Sequence, residues 1–468
     1  MQPTLRRACA WASAAGSVLL VPVPAGAAAA AGPVPGLAWG IPFVGVLLSI
    51  ALLPMLAERL WHRRMGTVAA AWVLALLLPQ AVMQGAGSAA AAAWHAILIE
   101  YLPFVTLLLA LYTAAGGILV RGGPLGAPLG NTALLGIGAA LAGVMGTTGA
   151  AMVLIHPLLR ANAHRARKVH LVVFFIVIVG NVGGASSPLG DPPLYIGFLH
   201  GVPFFWPVSR LWPQLLLATA VLLAAFYAVD RWLAASEPPA PRTGPLHLRG
   251  WPNVGLIGVV VGTVLAQGVW RPGDVVLFGQ AIGIERMVGM AVFASVTLIS
   301  VAITARAVRQ RNMYSWGPIE EVAKLFAAIF ITIGPVLGML QAGFDGPLGG
   351  LLQLTLGSDG EKLPVAYFWL TGVLSAFLDN APTYLVFFEL AGGDAAHLTT
   401  DLTLILEAIS AGAVFFGALT YIGNAPNLMV RAIASHRGVR MPGFFGYMGW
   451  SCALLLPVFA LLTLLFYL

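Results

Sequence analysis

The chain has 468 residues, 59% of them hydrophobic and only 9% charged, whereas an ordinary soluble domain is about 25% charged, so a soluble globular protein is excluded. The net charge of +7 is then read as orientation in a bilayer, because Lys and Arg are retained on the cytoplasmic side, and nucleic-acid binding is excluded. Cys9 and Cys452 stand far apart in apolar stretches, which removes a disulfide framework and a Cys-based metal site.

At the N-terminus, Arg6 and Arg7, the apolar run from Trp11 to Val23 and the small residues Ala25, Gly26 and Ala27 form the three parts of a secretory signal, predicted over 1–30. An uncleaved anchor helix is the alternative, since Pro22 and Pro24 interrupt the run without abolishing it. Stretches of about 20 mostly apolar residues then predict crossings at Leu37 to Leu56, Gly66 to Met83, Ile97 to Val120, Leu171 to Leu199, Trp212 to Val229, Val254 to Trp270, Met287 to Thr304, Ile319 to Leu340, Leu402 to Ile433 and Gly446 to Leu468. Asn131 to Leu159 and Pro364 to Leu390 are too long for one helix and are broken by Gly, Pro or polar residues, which predicts two re-entrant hairpins. With the mature N-terminus outside, most of the 24 basic residues fall on the cytoplasmic side, and only Arg210, Arg271, Arg286 and Lys362 fall in outer loops. Making either hairpin a full crossing would reverse that bias.

A polar, Pro-rich linker at 231–251 divides the chain into a first repeat, 37–230, and a second, 252–468. Each repeat contains helices, a hairpin (131–159 or 364–390), a broken helix (171–199 or 402–433) and a closing helix. One begins outside and the other inside, so the fold class read from sequence is an all-α polytopic membrane protein with inverted repeats, the architecture of many secondary transporters.

Polar, helix-breaking clusters occupy corresponding places in the repeats. In the hairpins, Met145-Gly146-Thr147-Thr148-Gly149-Ala150 answers to Leu378-Asp379-Asn380-Ala381-Pro382-Thr383; in the broken helices, Gly190-Asp191-Pro192-Pro193-Leu194 answers to Gly423-Asn424-Ala425-Pro426-Asn427-Leu428. Pro and Gly free backbone groups from the helix ladder at membrane depth, where each freed group needs a partner. The candidate ion- or substrate-binding residues are Thr147, Thr148, Asn181, Ser186, Ser187, Asp191, Asp379, Asn380, Thr383, Thr420, Asn424 and Asn427. Asp191 and Asp379 are the candidate Na⁺ ligands, because intramembrane carboxylates are costly and hard oxygens suit a small cation. The bland reading is that Pro and Gly kink the helices and the polar residues cap the broken ends, with Asp191 an N-cap before Pro192. Glu320 and Lys324 have the spacing of a helix-surface ion pair. Glu100, Glu389 and Glu407 are placed near the outer interface within reach of solvent, and His156 is read as a packed residue.

These motifs, with Gly180-Asn181-Val182-Gly183-Gly184-Ala185-Ser186-Ser187-Pro188-Leu189, Ser375-Ala376-Phe377 and Thr420-Tyr421-Ile422, resemble the ion transporter superfamily. Within it, the chain is similar to the group of citrate transporters and NhaD-type sodium/proton antiporters, from about Trp39 to the C-terminus. The resemblance implies a homodimer with a scaffold and a moving transport domain. Dicarboxylate carriers of the superfamily show Ser-Asn-Thr at both hairpin tips, and Gly146-Thr147-Thr148 and Asp379-Asn380-Ala381 depart from that pattern.

The expected function is Na⁺/H⁺ antiport, with Na⁺ and H⁺ competing for intramembrane carboxylates and no cofactor. Na⁺- or H⁺-coupled symport of citrate or a dicarboxylate is the alternative, and an intramembrane aspartyl protease using Asp191 and Asp379 as a dyad is a remote one. No basic residue lies in the four clusters, which favours the cation. The expected partners are the lipid bilayer and small ions or a small organic anion, in a multi-pass protein of the bacterial inner membrane.

Overall fold

The computed structural model describes residues 34–123, 125–240 and 244–468; the predicted signal segment, 1–30, lies outside the described residues. The chain is an all-α polytopic membrane protein. Its main helices are α1 (Ile41–Leu56), α2 (Glu58–Gln84), α3 (Ala86–Ala115), α4 (Pro128–Met145), α5 (Thr147–Ala161), α6 (Val169–Ile178), α7 (Pro192–Leu199) and α8 (Trp212–Ala234). The second half supplies α9 (Trp251–Val269), α10 (Ile284–Ile303), α11 (Gly317–Gln341), α12 (Pro364–Leu378), α13 (Asn380–Leu390), α14 (Thr403–Phe416), α15 (Ala425–His436) and α16 (Phe444–Leu462). Pro42, Pro128, Pro192, Pro213, Pro252, Pro318, Pro364 and Pro426 each stand in a first turn, where a missing N–H costs nothing and φ is already helical.

Side-chain ties define two ends of the molecule. At one end, β1 (Leu119–Arg121) pairs antiparallel with β2 (His247–Arg249), Arg160 donates to the Val120 carbonyl at 2.8 Å, and His156 Nε2 meets the Asn312 carbonyl at 2.8 Å. At the other, Arg286 donates to the Leu199 carbonyl at 2.7 Å, Trp94 stacks on Phe278, and Lys362 donates to the Ala391 carbonyl at 2.6 Å. The α4–α5 pair opens at the first end, where Asn131 and Asn162 bond to each other. The α12–α13 pair opens at the second, where Lys362 bridges its two arms. The hairpins therefore enter from opposite ends and their tips approach each other in the interior.

The packing separates central from peripheral helices. Every residue from Leu171 to Val179 is fully buried, so α6 is enclosed by protein, whereas Leu74, Leu78 and Val82 of α2 are exposed, as a lipid-facing helix requires. Lipid tails are as apolar as Leu, so the centre is held by close packing and hydrogen bonds more than by the hydrophobic effect. Small residues permit that packing: a Cβ on Gly183 would lie 2.6 Å from the Ala139 backbone.

Several boundaries differ from the sequence expectation. Among the described residues ten helices are long and apolar enough to cross a membrane. They include the hairpin arm Pro128–Met145 but not the second broken helix, whose first arm, Thr403–Phe416, is shorter. The span expected from Ile97 begins at Ala86, because its Ala-rich start is helical although weakly hydrophobic. The linker at 231–251 is no bare spacer. Its first residues extend α8, its last form β2, and Glu237 accepts from the amides of Ala166 and Arg167 at 2.9 Å each, which holds its carboxyl below the usual range. A β3–β4 hairpin, Asp274–Leu277 with Gln280–Gly283, was not foreseen either. Glu389 and Glu407 are buried, not solvated, and each accepts from an amide, of Gln341 and Gln214 respectively. Glu320 and Lys324 do pair, at 3.6 Å on an exposed surface.

Candidate functional site

Both hairpin tips turn through the same unusual conformation. Gly146 between α4 and α5 has φ 76 and ψ 152, and Asp379 between α12 and α13 has φ 76 and ψ 145. Gly adopts such a backbone freely, while a residue with a Cβ resists it at a cost of order 1–3 kcal/mol. The two breaks also match: Asp191 precedes α7 at φ -145, ψ 146, and Asn424 precedes α15 at φ -155, ψ 141. These pairs share one offset in sequence, as do Ser187 and Thr420. Ser187 donates to the Gly143 carbonyl and accepts from the Leu189 amide at 3.1 Å. Thr420 likewise donates to the Ala376 carbonyl at 2.5 Å and accepts from the Ile422 and Gly423 amides. In each half one hydroxyl thus fastens the broken helix to its own hairpin.

All four clusters meet at Asp191. Its Oδ1 accepts from Thr147 Oγ1 at 3.0 Å and from Asn424 Nδ2 at 3.0 Å, and its Oδ2 accepts from Asn380 Nδ2. Behind it runs an amide chain. Asn424 Nδ2 faces Asn181 Oδ1 at 3.1 Å, Asn181 Nδ2 donates to Asn427 Oδ1 at 2.8 Å and the Ile176 carbonyl at 2.9 Å, and Asn427 Nδ2 donates to the carbonyls of Gly417 and Thr420. The donors carry no formal charge, so the carboxylate is solvated by protein dipoles and not by a counter-ion. Asn380 Oδ1, fully buried, has no hydrogen-bond partner among the described residues, which leaves one oxygen acceptor beside Asp191 available to a ligand.

Asp379 is placed differently. It is half-buried and accepts from backbone amides of its own turn, that of Ala381 at 3.3 Å and that of Asn380, while Thr383 Oγ1 donates to its carbonyl at 2.8 Å. Thr148 is also half-buried, and Ser186 donates to the Gly183 carbonyl at 3.1 Å. Thr147, Asn181, Asp191, Asn380, Asn424 and Asn427 are therefore one bonded network. Ser186, Ser187, Thr383 and Thr420 spend their hydroxyl protons on backbone carbonyls.

A cavity of about 940 Å³ reaches the tips. Gly146, Thr147, Thr148, Asp191, Asp379 and Asn424 line its inner part, and Glu321, Arg431, Ser435 and His436 line it toward the first end of the molecule. Its walls are formed by residues of α1, α3 and α11 together with the hairpins, α7 and α15. Sequence reasoning read Glu321, with Glu320 and Lys324, as part of a structural charge group at the start of its helix, and it did not bring Arg431 to the site. The available signal was helical spacing, since Arg431 follows Asn424 by seven residues and repeats on one face of α15.

Among the described residues no group of three or more His, Cys, Asp and Glu side chains is placed to hold a metal ion. A cation at the tips would rest on two carboxylates and neutral oxygens, a donor set suited to Na⁺ or H⁺. The two carboxylates share no hydrogen bond among the described residues, unlike a protease dyad. The model of a family described as "Putative citrate transport" matches residues 33–467. The chain belongs to this family. Membership agrees with the apolar helices and places the chain among secondary transporters in a membrane. No individually curated protein matches the chain.

Proposed function

We propose that this family member is a cation-coupled transporter in which Na⁺ and H⁺ compete for Asp191 and Asp379, exchanging one for the other across the membrane. The observation that carries the reading is the convergence of both hairpin tips and both broken helices on the single carboxylate of Asp191. That carboxylate and Asp379 are the only charged groups among the tip and break residues, and a charge kept at such depth is costly unless it works. A bound Na⁺ would be held by the carboxylates and by oxygens such as Asn380 Oδ1; a proton would replace it. The helices carrying the tips line the cavity together with α1, α3 and α11, and reorientation of the tip helices against those three would carry the occupied site between the two sides. The expected homodimer would hold the scaffold group still in the bilayer.

Symport of citrate or a related carboxylate with the cation is the second reading. The family description favours it, as does a cavity far larger than a bare cation needs. The test is reconstitution in liposomes containing a pH-sensitive dye, with Na⁺, Li⁺, K⁺ and citrate added separately. A dye response to Na⁺ or Li⁺ without an organic anion supports exchange; a response only when citrate accompanies the cation supports symport.

A further inference from the structure

Arg431 is half-buried in the cavity wall. Its guanidinium carbon lies 4.7 Å from the centre of the Tyr421 ring. That ring is a fixed platform: Tyr421 is buried, stacks on Tyr447 at 4.1 Å, and donates its hydroxyl to the Pro442 carbonyl at 3.1 Å. Among the described residues no carboxylate lies within ion-pair distance of Arg431. Stacking occupies a face of the guanidinium and leaves its N–H edge, the part that forks onto a carboxylate, available.

Position adds to this. α15 starts beside Asn424, and seven residues at 1.5 Å each place the Arg431 backbone about 10 Å along the helix from the cation site. The cavity thus has the carboxylates of Asp191 and Asp379 at its inner end and, farther out, Arg431 on the α15 wall with Glu321 and His436 also on the lining. A ligand that suits both is a bound cation with an organic anion outside it.

We propose that Arg431, held over Tyr421, is an anion subsite that binds one carboxylate of a small di- or tricarboxylic acid in the cavity. The assignment rests on the carboxylate-symport reading and names the residue that would select the anion. Arg431 touches neither Asp191 nor Asp379, so its removal leaves cation binding in place.

The test measures calorimetric binding of citrate and succinate to the purified full chain in Na⁺, for wild type, Arg431→Gln and Arg431→Lys. Na⁺-induced proton release is followed in the same samples as a report on folding and on the cation site. Loss of a charge-assisted pair predicts that Arg431→Gln weakens binding by about ten- to a hundredfold. Arg431→Lys, which keeps the charge but loses the fork, falls between, and proton release stays at the wild-type level in both. Wild-type citrate affinity in Arg431→Gln, with proton release intact, overturns the subsite and leaves symport standing. Wild-type protein that releases protons with Na⁺ but binds neither acid overturns both.

Discussion

The two hairpin tips have the same backbone and different chemistry. Gly146 and Asp379 share φ 76, but Gly146 meets that conformation at no steric cost, while Asp379 holds a carboxylate there against its own backbone preference. At the breaks the asymmetry is reversed: the first repeat has the acid, Asp191, and the second has the neutral Asn424. Each repeat thus contributes one carboxylate, from a different element, to the same cavity. The two halves share backbone conformations at matched positions, and different residues at those positions bring one carboxylate from each half to one cavity. Strain at Asp379, in a chain that uses Gly at the matched position, argues that the carboxylate is retained for function.

The comparison can be broken most severely at Asp191. Asp191→Ala removes the acceptor of Thr147, Asn380 and Asn424, so transport in liposomes should fall to background and unfolding in detergent should lose about 3 kcal/mol through stranded donors. Asp379→Gly sharpens the contrast by making the tips alike. It should abolish transport equally while leaving the protein as stable as wild type or more stable by about 1 kcal/mol, because the backbone strain is released; equal loss of stability in both variants would mean that Asp379 is a packing element. Gly146→Ala is the converse. A Cβ there has room, 3.5 Å from the Leu189 carbonyl, so the expected loss of about 1–2 kcal/mol in thermal unfolding is the conformational cost alone.

The smallest effect lies away from the tips, at Glu237. Its carboxyl is held below its ordinary 4.5 by the Ala166 and Arg167 amides, so the stabilisation is present above that value and lost as pH falls through the lower folded one. Protection of those two amides against hydrogen exchange, taken relative to the intrinsic rate at each pH, should fall as the pH is lowered through the Glu237 titration, and Glu237→Gln should remove that pH dependence.

Much of this was legible because a membrane penalises each signal. Asp191, Asp379 and the Gly-Pro-Asn breaks stand out where backbone and charge must be satisfied internally, and they recur at matched positions along the chain. The roles of the individual hydroxyls were not legible. Whether Ser187 faces an ion or the Gly143 carbonyl depends on how closely the broken helix approaches its hairpin, which spacing does not encode. Arg431 was hidden because it lies outside the clusters and looks like an ordinary cytoplasmic-end Arg. Glu389 and Glu407 were misplaced since Gln341 and Gln214, distant in sequence, supply their amides.

The central claim is that Na⁺ and H⁺ occupy the same carboxylates, and the most direct test is Na⁺ affinity of the purified protein as a function of pH, with proton release recorded on binding. If the two ions compete, affinity strengthens as pH rises through the titration of the site, by at most tenfold per pH unit for each linked proton, and Na⁺ addition releases protons in the same range. Affinity that stays flat from about pH 5 to 9, with no proton released, would contradict the account.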